Sequence, residues 1–391
     1  MSTSKTSDIY VWTWLAESTT PVVAGVLHQV GTRFDFAYAK SYLARENAIA
    51  LAEDLPLSRH VFLPPAGLSL HGVFTDGLPD GWGKMVIDYR HGNIEQSTET
   101  YLLESGSNRF GALDFQTSPT HYAPRENGNI SLDELEESIQ DLLAHKRLDQ
   151  SVHIALNHGT SIGGSRPKII IDSKIVKLST SSETRPLIRT EACALFLAQK
   201  MGLVVPEFSV EKINGRDALI IDRFDRNGQL RSHTRSLVTL YNEENALIPR
   251  VSYLDLAEKS GNPREVFRRI VTNILIGNTD DHARNHAFIW DGDQYQLAPV
   301  FDLETTRQSG WDANSAMAYG RNGERTYNLM SVVNQAPNYG IREKDAFAMI
   351  SEMVAICADS FSDACDFAGV EQQEVPGILH KSIFDNWKKT L

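Results

Sequence analysis

Cysteine is nearly missing from this chain. There are three in 391 residues, Cys193, Cys357 and Cys365, an odd number without metal-ligand spacing. That excludes a disulfide framework and a cysteine-built metal centre, and it matches the thiol usage of a reducing cytoplasm. Long apolar runs are missing as well. No window approaches the roughly 18 consecutive apolar residues of a membrane-spanning helix. Met1 to Asp8 is polar and lacks the apolar stretch of a secretory signal, so a cytoplasmic chain with no membrane contact is expected. Basic residues are in deficit, 38 Lys and Arg against 50 Asp and Glu, for a net charge of −12. A surface built throughout for nucleic-acid phosphates is thereby excluded, while a local basic patch or a basic partner is not. No internal repeat and no low-complexity tract occur. What is present is a 41% hydrophobic fraction with 6 Trp, which supports a sizeable core and is incompatible with intrinsic disorder. At about 150 residues per domain, the length suits two to three domains or two lobes sharing a cleft.

Local patterning divides the chain. Short strands are expected at Ile9 to Trp14, which alternates partly and is β-rich, at Val22 to Gln29 after a turn at Pro21, and at Arg33 to Tyr38, where aromatics alternate. Gly81 closes a turn that feeds a helix through Lys84 to Tyr89. Pro119 to Gly128 reads as a linker, followed by an amphipathic helix from Leu132 to His145 capped by Ser131. Ile169–Ile171 and Ile175–Leu178 form a strand pair around Asp172-Ser173. A helix from Leu187 to Met201 is stopped by Gly202. Glu207–Ile213 and Ala218–Asp222 flank Asn214-Gly215, a strong hairpin signal. After about Arg226 the pattern turns mostly helical: Tyr253 to Lys259, Arg264 to Ile276, Glu343 to Ala358 and Glu371 to Lys389. One hairpin interrupts, Ala287 to Trp290 with Tyr295 to Ala298. Strands first and helices last predict a β-rich lobe followed by a helical lobe. The division expected is 1–120, 121–225 and 226–391.

Five segments carry chemistry. Thr160 to Lys168 is a small-residue loop before a strand. Its glycines let backbone N–H groups approach an anion, and Arg166 and Lys168 add charge; it reads as a plain loop or as a phosphate cradle. Lys177 sits on a strand between apolar neighbours. It is either a snorkelling lysine or, paired with Glu191 on the next helix, the lysine that kinases place on α- and β-phosphates. Ile221 to Arg226 is a charged strand end with one buried Phe, or a hinge whose backbone meets adenine. Gly277-Asn278-Thr279-Asp280-Asp281-His282-Ala283-Arg284-Asn285 is the densest segment, and its polar groups cannot all be buried unpaired. Pro299-Val300-Phe301-Asp302-Leu303 follows the hairpin. An Asp, an Asn five residues on, a hairpin and a second Asp reproduce kinase logic of base and Mg²⁺ ligands, and oxygen donors suit that hard ion.

On Ser161–Lys168, Ile175–Lys177, Asp222–Arg226, Gly277–Asn285 and Leu297–Leu303, with Gly77–Gly81 and Arg109–Ala112 in the first third, the chain resembles HipA-type serine/threonine kinases, toxins of HipBA-type toxin–antitoxin pairs. The resemblance covers nearly the whole chain. It implies an α+β, two-lobed protein-kinase-like fold, with a β-rich N-terminal lobe, an extra N-terminal subdomain and an all-helical C-terminal lobe. It implies Asp280 as catalytic base, and Asn285 and Asp302 as Mg²⁺ ligands. For ATP it implies Gly163, Gly164, Ser165, Arg166, Pro167 and Lys168 as phosphate loop, Lys177 on the phosphates, Asp222, Arg223 and Phe224 at the adenine hinge, and His282, Ala283, Arg284 and Phe301 beside the nucleotide. It implies autophosphorylation at Ser161. The implied partners are a small helix-turn-helix antitoxin, operator DNA reached mainly through it, and a protein substrate, with aminoacyl-tRNA synthetases as family precedent. Arg166-Pro167 replaces the Gln-Glu of the best-known members, and Asp222 stands where Glu is common. Three alternatives stand beside this reading: a solitary kinase of the same fold, a metal-dependent phosphohydrolase using Asp280, Asp281, His282 and Asp302, and a DNA-bound corepressor with a vestigial site.

Overall fold

The computed structural model describes residues 8–125, 134, 137, 140, 166–180, 183, 186–242, 250–304 and 313–370. The expected helix at 132–145, the expected helix at 371–389, Ser161, Gly163, Gly164 and Ser165 lie outside these, apart from residues 134, 137 and 140. The chain forms two compact units that interleave along the sequence. One comprises residues 1–178, 223–244 and 289–295, and the other 179–222, 245–288 and 296–391.

In the first unit, β1 (Ile9–Thr13), β2 (Val22–Val30), β3 (Arg33–Tyr38), β4 (Val61–Phe62) and β5 (Leu113–Gln116) build a five-stranded sheet in the order β4-β3-β2-β1-β5. Neighbours are antiparallel, with Ile9 opposite Leu27, Phe36 opposite Leu27 and Val11 opposite Phe115. Alternation puts Ile9, Val11, Leu27, Phe34, Phe36, Leu113 and Phe115 into one core. Full burial of each such side chain contributes about 1.5–3 kcal/mol. The short helices α1 (Lys40–Leu43) and α2 (Gly72–Thr75) are followed by α3 (Gly81–Arg90), whose first N–H is capped by Asp80 at 2.8 Å, and α4 (Thr98–Glu104), capped by Ser97. A hairpin of β6 (Lys168–Ile171) and β7 (Lys174–Leu178) turns at Asp172-Ser173.

The second unit begins with α5 (Leu187–Lys200) and the hairpin β8 (Phe208–Ile213) and β9 (Arg216–Asp222). Asn214 and Gly215 both take positive φ, +47° and +78°, as a type I′ turn requires. Back in the first unit, the region after Arg226 differs from the expected helical run. Three short strands come first, β10 (Arg226–Asn227), β11 (Leu230–Arg231) and β12 (Thr234–Ser236), before α6 (Leu237–Tyr241). Gly228 at φ +57° turns the first pair, and their charged side chains hid the strand pattern.

In the second unit, α7 (Tyr253–Ser260) starts from a capping box of Ser252 and Asp255. Next is α8 (Pro263–Ile276), capped by Asn262 and closed by Gly277 in the left-handed region. The hairpin β13 (Ala287–Trp290) and β14 (Tyr295–Leu297) is where expected, with its residues 289–295 counted in the first unit. After α9 (Leu329–Gln335), α10 (Glu343–Ala368) runs ten residues past the expected end at Ala358. The buried residues of that extension are Ala364, Cys365 and Ala368, too small to give an obvious apolar stripe. Cys193 is fully buried on α5, and its Sγ donates to the Ala364 carbonyl at 3.2 Å. All three cysteines are free. Among the described residues no helix is long and apolar enough to cross a membrane.

Candidate active site

Two adjacent aspartates in the second unit have opposite environments. Asp280 is exposed, whereas Asp281 is buried. The turn that carries them leaves α8 at Gly277 and is pinned by its own amides. Asn278 N donates to the Asn273 carbonyl at 2.8 Å and Asn278 Nδ2 to Asn273 Oδ1 at 3.0 Å, while Asn278 Oδ1 accepts from Asp280 N at 3.2 Å. The Asp280 carbonyl accepts from His282 N at 2.8 Å and from Asn285 Nδ2 at 3.2 Å. Asp280 is therefore fixed at both backbone groups with its side chain turned to solvent. A 3₁₀ turn, Ala283–Asn285, brings Asn285 back under it.

The bond from Asn285 Nδ2 to Asp280 O leaves Oδ1 as the other end of that amide, the end a hard cation would take. Asp302 follows the β13–β14 hairpin with φ +59°. An aspartate tolerates that left-handed conformation better than most residues, and such outliers concentrate at functional sites. Among the described residues no group of three or more His, Cys, Asp and Glu could hold a metal. A divalent ion at Asn285 and Asp302 would draw its remaining ligands from phosphate oxygens and water, which is the usual binding mode of Mg²⁺. His282 Nδ1 is buried without a hydrogen-bond partner, a polar atom that a bound nucleotide could satisfy.

Asp281 is held by its surroundings. Its Oδ2 accepts from Tyr253 Oη at 2.6 Å, Asn273 Nδ2 at 2.6 Å and His286 Nε2 at 3.1 Å. Burial alone would raise this carboxyl, but His286, Tyr253 and Arg269 outweigh it and hold it below the ordinary carboxylate range.

In the first unit, Lys168 and Lys177 stand directly opposite each other across the β6–β7 ladder, at 4% and 6% exposure. Opposed residues share a face, and like charges there repel. The two-residue turn at Asp172-Ser173 dictates this register, so the pairing could have been read from the sequence. Arg166 is half-buried and Pro167 buried just before β6.

Asp222 ends β9, its N–H bonded to the Glu207 carbonyl at 2.8 Å. Arg223 is fully committed elsewhere in its own unit. It donates to Asp225 at 2.8 and 2.9 Å, to Asn108 Oδ1 at 2.9 Å and to the Arg109 carbonyl at 2.6 Å. Its guanidinium is thereby used in the fold, whereas the hinge reading concerns its main chain. Phe224 packs edge-on against Phe110 at 5.2 Å. Phe301, Ala283 and Arg284 lie in the second unit beside Asp302 and Asn285 in sequence, with Ala283 buried and the other two half-buried. Glu191 is buried on α5. Sequence reasoning gave no structural part to Asn273, Tyr253 and His286. A buried Asn inside the apolar run of α8 was the available signal.

Comparison with known proteins then decides the family. The profile described as HipA-like C-terminal domain matches residues 160–361, and HipA N-terminal domain matches 16–116. The chain belongs to the HipA kinase family. A provisionally named kinase of Sinorhizobium fredii, Y4mE, is 22% identical over 321 residues, covering 69% of this chain and 72% of that protein. Another from the same organism, Y4dM, is 26% identical over 300 residues, covering 69% and 71%. The HipA-type fold is shared with a solved Shewanella oneidensis MR-1 toxin–antitoxin complex of HipA, HipB and operator DNA. The match has a TM-score of 0.70 over 97% of this chain and 95% of that one, at 17% identity. The two-lobed, kinase-like α+β fold expected for the HipA family is the one found.

Proposed function

We propose that this HipA-family chain is an ATP-dependent protein serine/threonine kinase acting as the toxin of a toxin–antitoxin pair. The observation that carries the reading is the 280–285 turn, which exposes the Asp280 carboxylate while fixing its backbone and the Asn285 amide. Asp280 would orient and deprotonate the acceptor hydroxyl. Asn285 and Asp302 would hold Mg²⁺, which supplies charge neutralisation on the transferring phosphate when bound. Lys168 and Lys177, opposed and buried, would take the ATP phosphates together with Arg166 and the 163–165 segment. Asp222 and Phe224 would border adenine, and His282 and Phe301 the rest of the nucleotide. We assign Ser161 as the autophosphorylation site and read the organisation as 1–120, 121–225 and 226–391.

The Shewanella relative was solved with HipB and operator DNA. We infer a HipB-like helix-turn-helix antitoxin for this chain, with DNA contacted mainly through it. A chain of net charge −12 suits that division, because the antitoxin then supplies the phosphate contacts. The substrate we assign is a cytoplasmic protein, with an aminoacyl-tRNA synthetase as first choice. The test is phosphate transfer from labelled Mg·ATP to a synthetase panel and to the chain itself. Phosphoserine or phosphothreonine on a synthetase and on Ser161 is expected. Release of inorganic phosphate without any phosphoprotein would replace the kinase with the phosphohydrolase.

A further inference from the structure

Asp281 lies beside the proposed base and has no part in the phosphoryl transfer described above. Three donors converge on its Oδ2, from Tyr253 on α7, Asn273 on α8 and His286 after the turn. The Asp281 carboxylate can only accept, so His286 Nε2 carries a proton and donates to it, and Arg269 Nη1 lies 3.5 Å from the ring's Nδ1. Tyr253, Asn273, Asp281 and His286 are each at most 3% exposed. A cation at this oxygen would face three donor hydrogens, and a proton there would compete with them for its lone pairs. Asn273 works in both directions. Its Nδ2 holds Asp281, while its Oδ1 and backbone carbonyl hold Asn278, whose own Oδ1 holds Asp280 N. Tyr327 Oη closes the set by donating to the Asn278 carbonyl.

We infer that Asp281 is a positioning residue. With Asn273 and Tyr253 it fastens the 278–286 turn to α7 and α8, so that Asp280 and Asn285 are presented in fixed register, and it neither binds metal nor moves a proton. The inference deepens the kinase reading and rests on it for its kinetic consequence. Its structural consequence stands apart.

Asp281→Asn, made in the full chain, separates the two. Amide hydrogen exchange across 278–286 is expected to rise while β1–β3 stay protected. A misplacement of about 1 Å costs on the order of 10²-fold in turnover, so kcat for phosphate transfer is expected to fall by that order. KM for ATP should stay within about threefold of the parent, because uniform binding is untouched. Tyr253→Phe, which removes one donor without changing charge, is expected to loosen the same amides less, and covers the case in which Asp281→Asn does not fold. The double variant should be no slower than Asp281→Asn alone, as coupled residues behave. Unchanged exchange at 278–286 in both variants would overturn the inference. So would an Asp281→Asn protein that loses its Mg²⁺ dependence as completely as Asp302→Ala, since that marks a metal ligand. Should the parent transfer no phosphate at all, the kinase reading fails and the exchange data alone decide the positioning role.

Discussion

In the first unit, the segment from Arg223 to Arg226 turns its charge inward. Asp225 is fully buried and bonded to Arg223, Arg226 and the Gly111 N–H at 2.6–2.9 Å. Arg226 reaches the Gly111 carbonyl at 3.0 Å and Asn108 Oδ1 at 3.1 Å, so the pair of arginines grips the 108–111 loop. Gly111 is needed there: it has φ +78°, and a Cβ would lie 2.5 Å from Thr234 Oγ1. Nearby, Arg109 is buried against Asp114 at 2.9 Å and pushed down to about 10 by burial. In the second unit, the 280–285 turn is equally dense in polar groups but commits only one of its two carboxylates. Density of charge in the sequence therefore does not separate scaffold from chemistry. Commitment of each group to partners does.

The comparison breaks most visibly at Asp225. Removing it leaves Arg223 and Arg226 buried without their counter-ion, which typically costs about 3–5 kcal/mol. Asp225→Ala is expected to lower the urea midpoint sharply or to yield no folded protein, and an unchanged midpoint would mean that the network contributes nothing.

A second, smaller effect concerns His233. Burial, opposed by its bond to the Trp14 carbonyl at 2.8 Å, lowers its pKa to about 4. The unfolded chain binds this proton near the ordinary value of 6.5 and the folded chain does not. Stability from this group is therefore complete above pH 6.5 and is lost as pH falls toward 4, by about 3 kcal/mol in all. Urea titrations at a series of pH values should show that loss, and His233→Gln should flatten it. Equal slopes in parent and variant would contradict the assignment.

A third effect is smaller again. ATP affinity is expected to rise about tenfold with Mg²⁺, or about 1.4 kcal/mol, and Asp302→Ala should remove most of that gain. Calorimetry showing equal affinity with and without the ion would count against Asn285 and Asp302 as ligands.

Much of the architecture was legible because it rests on local rules. Alternation marked β1 and β3, Asn214-Gly215 marked its hairpin, and Gly202 ended a helix. The order of Asp280, Asn285 and Asp302 around a hairpin marked the candidate site. What stayed hidden depends on partners distant in sequence. That Asn108 and Arg109 consume the Arg223 guanidinium is one such feature, since nothing local reveals it. The burial of Asp281 and its bonds to Tyr253 and Asn273 are another, because only the fold brings those residues to it. The last ten residues of α10 escaped because Ala364, Cys365 and Ala368 bury too little apolar surface to set a pattern.

Asp280→Asn tests the central distinction most directly, with thermal unfolding and single-turnover transfer from Mg·ATP measured on the same protein. An exposed, uncommitted carboxylate should be replaceable at less than about 0.5 kcal/mol of stability, whereas a general base contributes about 10²–10⁴-fold in rate. The account predicts an unfolding temperature close to the parent's with transfer reduced by that factor. Transfer at the parent's rate, or a loss of stability as large as that of Asp225→Ala, would contradict it.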